Sequence, residues 1–314
     1  MKKVFFFLNV SDRVVVATLV TVFAIALIAM FFTSCSREGC PEFPESRLDI
    51  GINGDSINDL ATIHFTVSGD FEMRTQPFTR ALTADGKAMT DLWVLDYIGT
   101  TLVQQIHQVS TDTDFGTPTL NLAVGDHHLY FVASRGIGAI LDTDAKTLTF
   151  TTVRDTFWKD VAISVTASSN GSRTVTLDRC VTKMIIAFTD AIPEGAATIN
   201  MTPVTWYYGI NYTTGEPTAA TTSQAITINI PASYIGQTGI EASIFSFSST
   251  TEWFTDVAIV SKKNDNTILG SASLTDVPLK RNRVTSFSGP LFSSNGTTAV
   301  NLSTDWLDAY ASTW

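Results

Sequence analysis

After the first sixty residues the chain alternates apolar and polar positions in short runs, and Gly, Asn, Asp or Pro interrupts those runs again and again. A period of two puts one set of side chains on each face of a strand, so each run predicts a half-buried β-strand. In the first half the runs are 61–67 (ATIHFTV), 92–98, 120–124, 129–133, 148–153, 162–166 and 174–177. In the second half they are 184–188, 225–230, 242–247, 257–260, 268–274 and 284–287. Lys262-Lys263-Asn264-Asp265-Asn266 lies between two of them and carries hairpin chemistry, because Asn and Asp tolerate positive φ. Beyond Cys35 no long stretch repeats with the 3.6-residue period of an amphipathic helix. The expected fold class is all-β, and so many short strands must close into sandwiches or barrels to bury their faces.

The first 45 residues read differently. Lys2, Lys3 and Arg13 precede the apolar block 14–32, and small residues lead to Cys35 in Phe31-Phe32-Thr33-Ser34-Cys35. A basic start followed by an apolar stretch predicts an export signal over 1–34. The block is also long enough to span a bilayer as one uncleaved helix. The ending resembles the lipobox of bacterial lipoproteins, which implies cleavage before Cys35 and acylation of its thiol and new amino group. More than one acyl chain gives durable attachment. Residues 35–45, with Pro41, Pro44 and Gly39, read as a tether.

The most polar interruption near the middle is Ser168-Ser169-Asn170-Gly171-Ser172, which suggests one sandwich over 46–168 and a second over 172–314. Residues 68–91 form a long polar interval between strands and carry Arg74 and Arg80, as an exposed or functional connection would.

Charge narrows the partners. The formal net charge is −10, and the segment ahead of Cys35 holds Lys2, Lys3 and Arg13 against Asp12, so the remainder stands at −12. Such a protein does not seek nucleic acid or anionic lipid. Of three cysteines, Cys35 is expected to carry lipid, Cys40 lies in the tether, and Cys180 sits in an apolar run as a buried thiol. No Gly-x-Ser-x-Gly elbow, phosphate loop or His-Glu-x-x-His occurs, so neither catalysis nor a cofactor is expected. Arg135-Gly136-Ile137-Gly138 lacks the third glycine of a dinucleotide fingerprint and reads as a turn. Asp112-Thr113-Asp114 and Asp142-Thr143-Asp144 read as turn aspartates, not calcium loops. Adjacent strand residues point to opposite faces, so His127 and His128 cannot readily share a metal. Trp206-Tyr207-Tyr208 with Tyr212, and Trp253-Phe254, could be core rings or a sugar-stacking face.

Four segments taken together resemble the fimbrillin family of Bacteroidales, lipoprotein subunits and anchors of surface pili. They are Arg80-Ala81-Leu82-Thr83 with 89–99 (MTDLWVLDYIG), then 122–133 (LAVGDHHLYFVA), 177–186 (LDRCVTKMII) with Pro193, and 277–289 (VPLKRNRVTSFSG). The resemblance implies two transthyretin-like Greek-key sandwiches in tandem. It also implies an outer-membrane lipid anchor at Cys35, other pilus subunits as partners, and a surface ligand on the host or another bacterium. In such pili an Arg-specific protease cuts a loop of the first domain, its first strand leaves, and a strand from another subunit fills the groove. Here Arg80, before Ala81, or else Arg74, would be the cut that releases strand 61–67. Anchor subunits escape that cut. In the carboxy-terminal stretch, Val300, Leu302 and Trp306 form an apolar series that is either a donor strand or the last strand of its own sandwich. The expected function is a pilus subunit or anchor serving adhesion; the alternative is a surface carbohydrate-binding lipoprotein.

Overall fold

The computed structural model describes residues 60–69 and 89–293, and among them the chain is all-β, with a single 3-10 turn (Ala232–Tyr234) and no α-helix. No helix among the described residues is long and apolar enough to cross a membrane. The first half contains β1 (Leu60–Gly69), β2 (Asp91–Ile98), β3 (Thr101–Val109), β4 (Thr119–Ala123), β5 (Gly125–Ser134), β6 (Ile140–Asp142), β7 (Thr147–Thr149), β8 (Thr156–Val165) and β9 (Gly171–Arg179). The second half contains β10 (Val181–Phe188), β11 (Thr198–Pro203), β12 (Thr205–Asn211), β13 (Pro217–Thr222), β14 (Ile226–Asn229), β15 (Ile240–Phe247), β16 (Trp253–Lys262), β17 (Ile268–Leu279) and β18 (Val284–Gly289).

A seven-stranded sheet runs β3-β2-β5-β8-β9-β1-β4. Between β8 and β9 only Phe157–Arg179 and Trp158–Asp178 pair, so the sheet turns a corner there and folds over on itself. Leu92, Val94, Leu129 and Phe131 on one side of the corner bury with Ile63, Phe65, Leu120 and Val175 on the other. That is a β-sandwich core. The second sandwich sets β15-β10-β18 against β14-β11-β16-β17, and Met184, Ile186 and Phe188 pack with Ile199, Met201, Val257 and Ile259. The polar stretch 168–172 joins β8 to β9, and both strands belong to the folded seven-stranded sheet. The chain leaves that sheet at Cys180 and enters the second sandwich as β10.

A fourth sheet, β13-β12-β7-β6, takes its strands from both halves. The hairpin β6–β7 rises between β5 and β8, and Thr147–Thr149 pair antiparallel with Gly209–Asn211 of β12. Gly209 is required there: a Cβ on it would lie 2.8 Å from the Thr149 methyl. Beneath this sheet a third apolar cluster joins Trp93, Leu95 and Tyr97 of β2 to Phe150, Ile210, Tyr212, Phe245 and Phe247. Tyr212 is fully buried; its hydroxyl meets that of Tyr97 at 2.7 Å, and its carbonyl accepts from the Trp158 indole at 2.7 Å. Burial, and the neighbouring Tyr97 hydroxyl, raise the Tyr212 phenol well above its ordinary value.

Five strands, β3, β6, β11, β12 and β13, fall outside the sequence-predicted runs. In β3 the half-inward positions are Leu102, Gln104, Ile106 and Gln108, so polar residues blur its alternation. In β12 the rings of Trp206, Tyr207 and Tyr208 hide it in the same way. Conversely, the pattern over 148–153 predicts one strand, but the strand ends at Thr149 and its ladder closes with the Phe150 amide donating to Tyr208 O at 2.9 Å. Phe150 and Val153 are instead buried on irregular backbone in the joint. Arg135-Gly136-Ile137-Gly138 is more than a turn. Ile137 bridges to Thr152, and Gly136 lies so close to the Phe150 ring that a Cβ would approach it to 2.4 Å.

Truncating Tyr212 to Ala removes a ring from the joint and leaves the Tyr97 hydroxyl unpaired. The expected loss is about 3–5 kcal/mol, read by urea denaturation. Because the joint is shared, signals from both halves should shift together; movement of one half alone would contradict the joint described here.

Candidate strand-exchange site

Strand β1 alternates cleanly, with Ala61, Ile63 and Phe65 buried and His64 and Thr66 exposed. It is held on both edges. Leu60–His64 pair antiparallel with β4, and the ladder is extended by the Phe65 amide donating to Pro118 O (2.9 Å) and the Val67 amide to Gly116 O (2.8 Å). Ile63–Gly69 pair parallel with β9, from Gly171 to Leu177. Side chains add to the grip: Thr62 Oγ1 donates to Asn121 Oδ1 at 3.0 Å, and His64 Nδ1 meets Thr119 Oγ1 at 2.8 Å. The Phe65 ring lies 5.5 Å from that of Phe131, centroid to centroid, across the core.

The parallel pairing sets β1 apart from its neighbours. A hairpin cannot make it, so β1 enters its slot from outside the local run of antiparallel strands. If β1 were absent, facing edges of β4 and β9 would be left, with an apolar floor between them where Ile63 and Phe65 now sit. Unpaired strand edges beside exposed apolar surface are a template for another strand. Arg74, Arg80, Ala81, Cys35, Val300, Leu302 and Trp306 lie outside the described residues.

Other sequence candidates resolve into structural roles. His127 is buried: its Nδ1 lies 2.7 Å from Asp96 Oδ1, and its Nε2 lies 2.9 Å from Ala123 O. A carbonyl only accepts, so Nε2 is the donor in that bond. Desolvation raises the Asp96 carboxyl above its ordinary value, and the bond and charge of His127 pull partly the other way. His128 points outward, toward Asp160 at 3.5 Å. Asp112 accepts the Val109 amide, and Asp142 those of Asp144 and Ala145, as turn aspartates do. No group of three or more His, Cys, Asp or Glu among the described residues could hold a metal. Cys180 is buried with its thiol against Thr156 O at 3.3 Å, and burial pushes its pKa up to about 12.

The sugar-stacking alternative loses its leading ring. Trp206 is 1% exposed and donates its indole N–H to Phe245 O, so it offers no face to a ligand. Tyr212 is equally closed, and Trp253 is half-buried edge-on to Tyr207. Three consecutive aromatic residues on a strand alternate faces, which puts Trp206 inward. Within that set Phe254 is the ring that stands exposed.

A family model described as a family of unknown function, DUF6562, matches residues 125–313. The chain belongs to that family. The match begins at β5, so within the candidate slot β9 lies inside the DUF6562 region while β1 and β4 precede it. No curated protein matches the chain in sequence. Among solved structures this DUF6562 chain is similar to a proposed adhesin from Bacteroides ovatus, at 12% identity over 78% of this chain and 97% of that one, with a TM-score of 0.48. It is also similar to a proposed polysaccharide-binding protein from Bacteroides thetaiotaomicron (8% identity, 75% and 92% covered, TM-score 0.44). A third is the tip fimbrial protein Mfa3 from Porphyromonas gingivalis, with C-terminal truncation (12% identity, 78% and 98% covered, TM-score 0.42).

Phe65→Ala should destabilise the first sandwich by about 3–5 kcal/mol in denaturant titration, through the cavity left opposite Phe131. For Asp96 the folded-state pKa is raised, so its contribution is present below pH 3.8 and lost as pH rises through the folded value. Asp96→Asn cannot titrate, so the gap in stability between it and wild type should change over that rise; a constant gap would contradict the assignment.

Proposed function

We propose that the protein is a cell-surface pilus subunit or pilus anchor that serves adhesion and assembles by strand complementation, with the slot of β1 as the receiving groove. The observation that carries this reading is the placement of β1. It lies between β4 and β9, parallel to one and antiparallel to the other, and the connection that leaves it toward β2 carries Arg74 and Arg80. While that connection is intact, β1 is tethered beside its slot at a high effective concentration and no free strand competes. A cut after Arg80, or after Arg74, removes that advantage. Displacement then becomes an exchange of one strand for another with the same backbone bonds, in which alternate apolar side chains set the register.

The incoming strand must carry apolar residues at alternate positions to fill the places of Ala61, Ile63 and Phe65. The series Val300, Leu302 and Trp306 of another copy supplies such a pattern at its first two positions. Acylation at Cys35 would keep an uncut copy at the outer membrane as an anchor, and a cut copy would leave its lipid with the departing strand. The fimbrillin resemblance of the sequence supports the same reading. The carbohydrate-binding alternative has lost Trp206 to the core and keeps one exposed ring of its set, Phe254.

The test uses an Arg-specific protease and a fluorescent synthetic peptide with the sequence Leu60–Gly69. Cut protein is expected to begin at Ala81 and to take up the peptide, while uncut protein and Arg80→Ala protein do not. A peptide carrying the Phe65→Ala change should exchange at least roughly tenfold more weakly. Uptake by uncut protein, or none after a confirmed cut, would falsify the mechanism.

A further inference from the structure

At the far end of the second sandwich, Asp190 holds a strap of backbone. Asp190 lies just beyond the end of β10 at Phe188, and the strap is Pro290-Leu291-Phe292-Ser293, just beyond the end of β18. The Leu291 amide donates to both carboxylate oxygens of Asp190 at 3.0 Å, and the Phe292 and Ser293 amides donate to Oδ2 at 2.5 and 2.8 Å. Three consecutive N–H groups aimed at one carboxylate make an anion nest, and bonds of this charge-assisted kind are roughly twice as strong as neutral ones. The strap is seated as well as bonded. Leu291 is 1% exposed in the core, and the Phe292 ring lies 6.3 Å from that of Phe188. Gly270 of β17 leaves the room: a Cβ there would stand 2.1 Å from the Leu291 carbonyl oxygen.

We propose that Asp190 is the positioning residue of the strap 290–293, fixing the backbone that continues into residues 294–314 and passing any pull on that backbone to β10. The physical reason lies in how the two strands are held. Among the described residues β18 pairs with β10 alone and parallel to it, so a pull from its Gly289 end shears that ladder against a single neighbour. β10 is the central strand, paired with both β15 and β18, and must be sheared from two neighbours together. The clasp lies between the segment and β18, so its bonds take the pull before the ladder does. From Asp190 the covalent path runs back along β10, through Cys180, and into β9, the wall of the β1 slot. One pair of consecutive strands thus links the receiving groove to the strap at Leu291–Ser293. The use of that link in a fibre rests on the proposed function; the clasp itself stands without it.

Hydrogen exchange on the full-length, uncut protein tests the clasp alone. In Asp190→Ala the amides of Leu291, Phe292 and Ser293 should exchange roughly tenfold faster or more, with a smaller effect in Asp190→Asn. Gly270→Ala should release the same three amides by pushing the strap off, without touching any charge. Amides of β5 and β8 serve as the control for folding and should be unchanged. Under optical tweezers, with handles at the two termini, both Ala variants should show an early extension from β18 that wild type lacks. Unchanged protection in both Ala variants, or force traces identical to wild type, would overturn the proposal. A failed peptide exchange in the cut protein would leave these outcomes untouched, so the two readings fail separately.

Discussion

The structure depends on a strand pairing that crosses between its halves. Thr147–Thr149 and Gly209–Asn211 form a short ladder, too short to be strong alone, yet it lies over the cluster of Trp93, Tyr97, Phe150, Tyr212 and Phe247. That cluster makes β2 buried on both faces from Leu92 to Tyr97. A strand covered on both sides cannot shed either layer without exposing large rings to water. Inside the joint the Tyr97 and Tyr212 hydroxyls meet each other, and the Trp158 indole reaches a carbonyl. Asp155, fully buried beside it, receives Arg179 at 2.7 Å and Arg135 at 3.3 Å. Two guanidinium groups on one buried carboxylate hold the chain where it passes from β9 toward β10.

That union gives the two ends of the molecule a common frame. The β1 slot lies against β9, and the Asp190 clasp lies beyond β10, so the two sites are separated by consecutive strands with only Cys180 between them. Burial of Cys180, with its thiol held on Thr156 O, fits a position where the backbone must not flex.

Strand-level features were legible in the sequence to different degrees. Phe65, Ile63 and Ala61 alternate with Thr62, His64 and Thr66, and that pattern alone places β1 and its inward face. The turn at Lys263–Asn266 is equally local: Asn266 takes a φ of 68°, as Asn tolerates, and the Asp265 carboxylate accepts the Thr267 amide. His127 and His128 were separated by the same rule of alternation. The clasp was not legible, since Asp190 and Leu291 are a hundred residues apart and neither belongs to a motif. Nor was the joint sheet, because β7 and β12 are short and their apolar residues serve a layer that exists only after both halves have formed.

What the sequence by itself determined is the alternation that makes strands, the turns between them, the acidic balance and the sparse cysteine use. These follow from local geometry and composition, which act within a few residues. Tertiary structure decided which strands are neighbours: that β1 lies parallel to β9, that β8 and β9 share a corner, that Trp206 is core, and that a carboxylate after β10 catches the backbone after β18. Backbone ladders are almost indifferent to side-chain identity, so partner choice rests on how many faces can be buried at once. That quantity belongs to the assembled layers and to no single strand.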